Sequence, residues 1–228
     1  MDTIEKLTEV FKEFPGIGER QAKRFVYFLM SRNPAYVENM SLLIKDLKRE
    51  ISQCKDCFRF FIPARNTSHN DAGGQKDKNK ICEICSNPNI DSSTLMIIEK
   101  DSDLESIRKS RTYHGKYFVL GGLVPIVEKN TKNMVRINEL ISKISTEGGS
   151  ASGGKSQTHT KSDLQEIILA FSLNPQGEHT DFYVRNQIKD ITNTHNIKIS
   201  SLGRGLSTGT ELEYSDNETI KNALKNRQ

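Results

Sequence analysis

Over the first fifty residues, apolar side chains recur at the spacing of an α-helix. Ile4, Leu7, Phe11 and Phe14 share one face of a segment over 3–14, and Phe14-Pro15-Gly16-Ile17-Gly18 breaks it. From Glu19 onward Ala22, Phe25, Val26 and Leu29 define a second helix. Val37, Met40, Leu43, Ile44, Leu47 and Ile51 define a third over 35–51. After residue 93 the pattern shortens to apolar runs. Thr94–Ile98 and 116–120 read as strands, 135–144 as a helix, 166–171 as a strand, 180–191 as a helix and 197–200 as a fourth strand. Strands alternating with helices predict a largely parallel α/β sheet.

Two polar stretches interrupt the pattern. PARNTSHNDAGGQKDKNK over 63–80 holds too little apolar surface to offset the entropy of ordering, and is expected to be a mobile loop. STEGGSASGGKSQTHTKS over 145–162 is low in complexity and reads as a flexible insertion.

Composition narrows the class. Of 228 residues 35% are hydrophobic and 27% charged, and no run approaches the ~20 apolar residues needed to cross a bilayer. The first residues lack the charged, apolar, small-residue order of a secretory signal, so a cytoplasmic protein is expected. A net charge of +4 says little until the basic residues are seen to cluster.

The four cysteines fall into two CxxC pairs, Cys54/Cys57 and Cys82/Cys85. Thiols of a cytoplasmic chain stay reduced, and two such pairs place four thiolates for a tetrahedral Zn²⁺. With every position filled by sulfur, the ion is expected to fold a small knuckle and to carry out no chemistry.

At the helical break, Gly16 and Gly18 stand where backbone N–H groups can approach a phosphate at the positive end of the next helix. Arg20, Lys23 and Arg24 follow in its first turns. The group reads as a DNA-backbone contact without sequence readout; the alternative is a solvated basic helix face. Acids lie near the strand ends: Glu99, with Asp101 and Asp103 behind it, and Glu178 in Asn174-Pro175-Gln176-Gly177-Glu178. Carboxylates at the C-terminal ends of parallel strands sit where such sheets bind ligands, and could hold Mg²⁺. They could equally be polar residues closing strands.

Taken in order, FPGIGERQAKR, the paired cysteines, LMIIEKDSDLESI, YHGKYFVLGGLVP (113–125) and GRGLSTGTELEYSDNETI (203–220) resemble the bacterial RecR family of recombination proteins along nearly the whole chain. The resemblance implies an α+β multidomain architecture. Its parts are a helix–hairpin–helix over 1–52, a zinc knuckle over 53–92, a Toprim-like α/β domain with a mainly parallel sheet over 93–200, and a short Walker B-like segment for oligomerisation over 201–228. It also implies assembly into a dimer or a tetrameric ring around DNA. Gapped DNA or a single-strand/double-strand junction would be the substrate, with RecO or RecF helping to load RecA there. Glu99, Asp103 and Glu178 would then meet a basic partner.

This chain departs from the family pattern in several places. The Asp-x-Asp of Toprim enzymes is replaced by Gln176-Gly177-Glu178, and the chain is about two residues short near Asn174-Pro175. Ser207 and Thr210 replace a more usual proline and glycine. Gly203-Arg204-Gly205 lacks the Gly-Lys-Ser/Thr ending of a P-loop, so ATP hydrolysis is not expected. The reading favoured is a non-catalytic DNA clamp and scaffold. A Mg²⁺-dependent Toprim enzyme acting on DNA strands and a zinc-bearing protein-interaction module without DNA binding are the alternatives.

Overall fold

Residues 95–98, 117–119 and 167–170 of the larger sheet alternate their side chains between two covered faces, and that alternation sets the layers around it. The computed structural model describes residues 1–63, 81–127, 134–148, 164–203, 209, 211–215 and 217–225. The expected loop over 63–80 beyond Pro63, the stretch 149–162, and Arg204, Gly205, Ser207 and Thr210 lie outside them. The chain divides into two compact units, Met1–Ile51 and Ser52–Gln228.

The first unit holds α1 (Thr3–Lys12), α2 (Glu19–Met30) and α3 (Pro34–Glu50). Asp2 and Glu5 cap α1 reciprocally, each side-chain oxygen accepting from the other's backbone N–H at 2.8 and 3.0 Å. Asn33 caps α3 with Pro34 in its first turn. Phe11 meets Phe25 edge to face at 5.7 Å, over the buried Thr8, Ala22 and Val26. The third helix forms as its periodicity predicts but buries none of its residues.

The second unit opens with a hairpin of β1 (Ser52–Gln53) and β2 (Phe60–Phe61). It continues through β3 (Asp91–Ile98), α4 (Asp101–Ser110), β4 (Gly115–Val119), α5 (Ile137–Gly148), β5 (Glu166–Ala170), α6 (Pro175–His195) and β6 (Lys198–Ser201). A 3₁₀ turn (Leu212–Tyr214) and α7 (Asn217–Lys225) follow. The sheet has the order β4-β3-β5-β6 and every pair is parallel. Leu95, Ile97, Phe118, Leu120, Ile167 and Leu169 face α5 and α6. Met96, Ile98, Tyr117, Val119 and Ala170 face the other way, onto Leu104 and Ile107 of α4. The result is an α/β/α sandwich with one thick and one thin core, within an α+β chain.

Two local expectations need correction, and two further elements had no signal in the sequence pattern. Residues 145–148 are the last turn of α5 and not part of a flexible insertion: Ser145 and Thr146 return their hydroxyls to the carbonyls of Ile141 and Ser142. The helix expected over 180–191 begins at Pro175, because Asn174 caps Gly177 N–H at 2.7 Å. Glu178 therefore lies in a first helical turn. The acids after Glu99 belong to α4, a helix that its polar sequence hides. The short β1–β2 hairpin carries no periodic signal at all.

Candidate functional site

The break between α1 and α2 is a tight turn built by two residues. Pro15 fixes the first central position, and Gly16 takes φ +77, which L side chains avoid. Ile17 N–H then donates to Phe14 C=O at 3.1 Å. Gly18 is different: its backbone is extended, a side chain there would meet nothing within 4 Å, and it caps α2 with no side-chain hydrogen bond. The fold asks for a glycine at position 16 and not at 18.

Arg20, Lys23 and Arg24 all stand exposed. Their spacing of three and four places them on one helix face. Among the described residues Arg20 has no hydrogen bond or ion pair. Arg24 reaches Gln21 only at 3.5 Å. Lys23, by contrast, is paired with Glu19 at 2.7 Å, an i,i+4 partner visible in the sequence but overlooked in reading the basic cluster.

The four cysteines converge in the second unit. Cys54, Cys57 and Cys82 are buried and Cys85 half-buried. Their sulfurs all lie within 4.8 Å of one another, with Cys57 and Cys82 at 3.6 Å. Metal–sulfur bonds of about 2.3 Å in a tetrahedron put sulfurs about 3.8 Å apart, so the set fits a tetrahedral ion. Each CxxC forms a turn: Phe58 N–H donates to Cys54 C=O, and Ser86 N–H to Cys82 C=O, both at 3.0 Å. Cys82 N–H also points at the Cys54 sulfur at 3.4 Å. Hydrogen bonds from Cys57, Cys82 and Cys85 hold the Cys54 thiol far below its ordinary range. Hydrogen bonding to Cys54 pushes Cys57 and Cys85 well up. Four sulfurs this close cannot all carry charge unless a cation balances them.

This knuckle is bolted to the open edge of the sheet. Val119 N–H of β4 donates to Cys57 C=O at 2.8 Å, closing an edge strand that would otherwise be exposed. Arg136 Nη1 donates to Val119 C=O at 2.9 Å. Phe58, held at φ +62, rests its ring 5.3 Å from Phe118. On the α5 side, Lys143 Nζ donates to Asp56, which sits between Cys54 and Cys57, and to Glu147 at 3.0 Å. No local pattern revealed these contacts, since Asp56 and Lys143 are 87 residues apart.

The acids lie where the strand order reverses, at the C-terminal ends of β3 and β5. Glu99 follows β3 and accepts from Ser172 Oγ, after β5, at 2.8 Å. Lys100 Nζ stands 3.4 Å away. Ser172 thus meets Glu99 beyond the end of β5, where a second acid would be needed to share a cation. Asp101 accepts from Phe60 N–H at 2.8 Å, and Asp103 from Lys100 N–H at 3.3 Å. Burial pushes the Asp103 carboxyl above its usual range; Lys100 opposes the shift and Glu99 reinforces it.

Glu178 lies in the first turn of α6. With Ser172, Phe171, Leu173, Phe182 and Arg185 it lines a cleft of about 340 Å³ at the ends of β5 and β6. Gly177 makes that approach possible, because a Cβ there would lie 1.9 Å from Ser172 O. Among the described residues, the cysteines are the one convergent group of three or more metal-binding side chains.

A parallel sheet with a glutamate at its switch point, edged by a largely buried four-cysteine cluster that could hold a metal ion, defines a Toprim-type protein with a cysteine knuckle. Residues 93–202 match the family model described as the Toprim domain, and 205–228 the one described as RecR, C-terminal. "Recombination protein RecR" of Bacteroides thetaiotaomicron is 31% identical over 98% of this chain and 92% of its own length. The protein of that name from Lactobacillus acidophilus is 30% identical over 98% and 96%. That of Legionella pneumophila is 28% identical over 100% and 96%. The chain belongs to the RecR family of recombination proteins. No helix among the described residues is long and apolar enough to cross a membrane.

Proposed function

We propose that the protein is a DNA-binding recombination mediator of cytoplasmic recombinational repair, a clamp and scaffold with no catalytic step of its own. Its work would be to hold gapped DNA or a single-strand/double-strand junction while RecO or RecF helps load RecA. The observation that carries this reading is the hairpin. A glycine turn delivers an α2 N-terminus with no side-chain cap, and three exposed cations follow on one face. Helix N–H groups and guanidinium or ammonium groups so placed are complementary to phosphate and indifferent to base sequence. Likeness to recombination proteins over nearly the whole chain supports the same reading.

The chain works in four segments on this view: 1–52 on DNA, 53–92 as the zinc-bearing knuckle, 93–200 as the partner-binding sheet, and 201–228 between subunits. Zn²⁺ is the ion that suits four thiolates, and Cys54, Cys57, Cys82 and Cys85 would hold it. Glu99, Asp103 and Glu178 would meet a basic partner. The engaged state of the acids argues against strand cleavage: Asp101 and Asp103 already close backbone groups, and Glu99 faces a serine hydroxyl.

Assembly into a dimer or tetrameric ring is supported by apolar surface that the described residues leave exposed. Leu43, Ile44 and Leu47 of α3 are 61%, 56% and 53% exposed. Contiguous apolar surface of this kind marks interaction sites. A ring would also multiply weak phosphate contacts through effective concentration.

The test is binding to gapped duplex across a salt series, comparing the wild type with K23A/R24A. Wild type should bind with a steep salt slope, and the double variant should lose about two from it, near one per phosphate contact removed. Equal binding by both proteins would move DNA recognition away from the hairpin. No binding by either would favour the protein-only scaffold. Plasmid cutting with Mg²⁺ that is abolished by E99Q would restore the enzyme reading.

A further inference from the structure

We propose that the four-cysteine knuckle is a metal-dependent clamp on α4, acting through Arg59 and Asp101 to hold the acidic Glu99–Asp103 surface together. The proposal rests on the reading that the cysteines bind Zn²⁺.

Among the described residues the knuckle buries little of its own besides its sulfurs, and further ties, Val119 N–H to Cys57 C=O and Lys143 to Asp56, run outward to β4 and α5. Among the described residues its buried cluster is Cys54, Cys57 and Cys82, with Phe61, Ile84 and Cys85 packed against it. Such a unit takes its folding free energy from the ion. The first cysteine pair closes the turn of the β1–β2 hairpin, with Cys54 N–H donating to Arg59 C=O at 2.8 Å. The position of Arg59 and Phe60 therefore follows from that turn.

Both residues reach α4. The Arg59 side chain is nine-tenths buried and donates to Glu83, between Cys82 and Cys85, at 2.8 Å, and to Glu105 of α4 at 3.5 Å. Arg108 of α4 returns to Glu83 at 3.4 Å and to Glu105 at 3.5 Å. Phe60 N–H binds the Asp101 carboxylate in the first turn at 2.8 Å. Ile84 packs both against the cysteines and against the cluster beneath α4. One guanidinium thus ties the first cysteine pair, the second pair and the helix together.

The helix depends on these links because its own anchor is small. Of the ten residues of α4 only Leu104 is buried. By comparison, α6 buries Gly177, Thr180, Val184, Ile188 and Thr192 against the sheet. Without its polar ties α4 has little to resist local opening.

The consequence falls on the acids. Glu99 stays with the sheet, bound to Ser172. Asp103 lies in the first turn of α4 and is linked to the strand end through Lys100 N–H at 3.3 Å, a bond that is lost when that turn opens. Releasing α4 separates the two carboxylates that a basic partner would read as one surface. Metal occupancy at the cysteines would therefore be reported at the strand ends with no shared ligand.

Hydrogen exchange on the full chain, with zinc content measured alongside, tests this in the wild type, the chelated wild type, and the R59A and D101A variants. Chelation should speed exchange across 101–110 by about tenfold or more while 167–169 and 184–188 keep their protection. R59A should retain zinc and still speed exchange in α4 by about tenfold, the effect of one lost charge-assisted hydrogen bond on local opening. D101A should act in the same direction, strongest in the first turn. Zinc retained with α4 exchange unchanged in both variants overturns the clamp alone. Chelation that opens β5 and α6 as much as α4 also overturns it, since the ion would then hold the whole unit. A chain that purifies without zinc yet protects α4 overturns the clamp and the zinc reading together, a distinct signature.

Discussion

In the sheet unit Leu95, Ile97, Phe118, Leu140, Ile144 and Leu169 are fully enclosed by their own chain. In the helical unit Leu43, Ile44 and Leu47 carry the same helical spacing that α5 carries, yet each is more than half exposed. Periodicity foretold which side chains share a face in both regions. It did not foretell whether one chain could cover that face. The sheet unit covers both faces with helices and seals its β4 edge with the knuckle. The three-helix unit buries only Thr8, Ala22 and Val26, so its remaining apolar surface is available to something outside it.

The sharpest way to break the comparison is to remove the knuckle. C54S/C57S leaves two thiols for the ion, and structural zinc in small sites contributes roughly 10–16 kcal/mol of apparent binding free energy. The expected outcome is loss of bound zinc and of order in the knuckle and α4, read by metal analysis and hydrogen exchange, while the β5–α6 core, buried without the cysteines, keeps its protection. The α1–α2 hairpin should keep its helical circular-dichroism signal, because its packing lies within residues 1–51. Concerted loss of both units would show that the division into self-sufficient regions is wrong.

Next in size is Lys143, whose side chain is 7% exposed between Asp56 and Glu147. K143A leaves Asp56 without its cation and Glu147 with Lys116 alone, at 3.0 Å, and should cost about 2–3 kcal/mol in urea unfolding, whereas K143M should cost less if Asp56 can turn to water. Burial alone would lower the Lys143 pKa, but Glu147 and Asp56 outweigh it and the net shift is upward. Its contribution is therefore complete below the ordinary lysine range and fades as pH rises through the raised folded value. Equal stability of K143A and wild type at neutral pH would remove this lock between knuckle and sheet.

These contacts also mark where the sequence stopped being legible. The CxxC spacing announced the cluster, and the apolar runs announced β4, β5 and β6 to within one residue, and β3 except for its polar start at Asp91-Ser92-Ser93. The Pro-Gly turn announced the hairpin. What escaped is mostly non-local: Asp56–Lys143, Arg59–Glu83 and Glu99–Ser172 join residues 87, 24 and 73 apart. No periodicity encodes such a pairing. Helix α4 escaped for another reason. It buries so little that its sequence, DSDLESIRKS, carries almost no apolar stripe beyond Leu104 and Ile107, and its ties to the knuckle supply the rest of its anchor. Asn174-Pro175 was legible in principle as a cap followed by a first-turn proline, but it also reads as a turn.

A smaller effect is expected from charging the open face of α3. L43E/I44E should leave the unfolding free energy within about 0.5 kcal/mol, as substitutions of uncovered surface side chains usually do. Sedimentation velocity should then show a shift toward the monomer. If the variant unfolds instead, α3 is covered within the single chain and the contrast between the two units disappears.

The finest probe is Glu19, which ties up one of the three hairpin cations. The Lys23 hydrogen bond holds its carboxyl below the ordinary range, yet both side chains are more than half exposed. An exposed pair of this kind adds little to folding, so E19Q should leave the melting temperature unchanged. Its effect should appear on DNA. A carboxylate beside Lys23 repels phosphate and competes for the ammonium, and removing it should tighten binding by about threefold at low salt, with the gain fading as salt screens it. A gain that K23A erases would place Lys23 against phosphate. A gain that survives K23A would mean that Glu19 acts on the α2 N-terminus itself, so that the backbone N–H groups, and not the lysine, would be the principal contact.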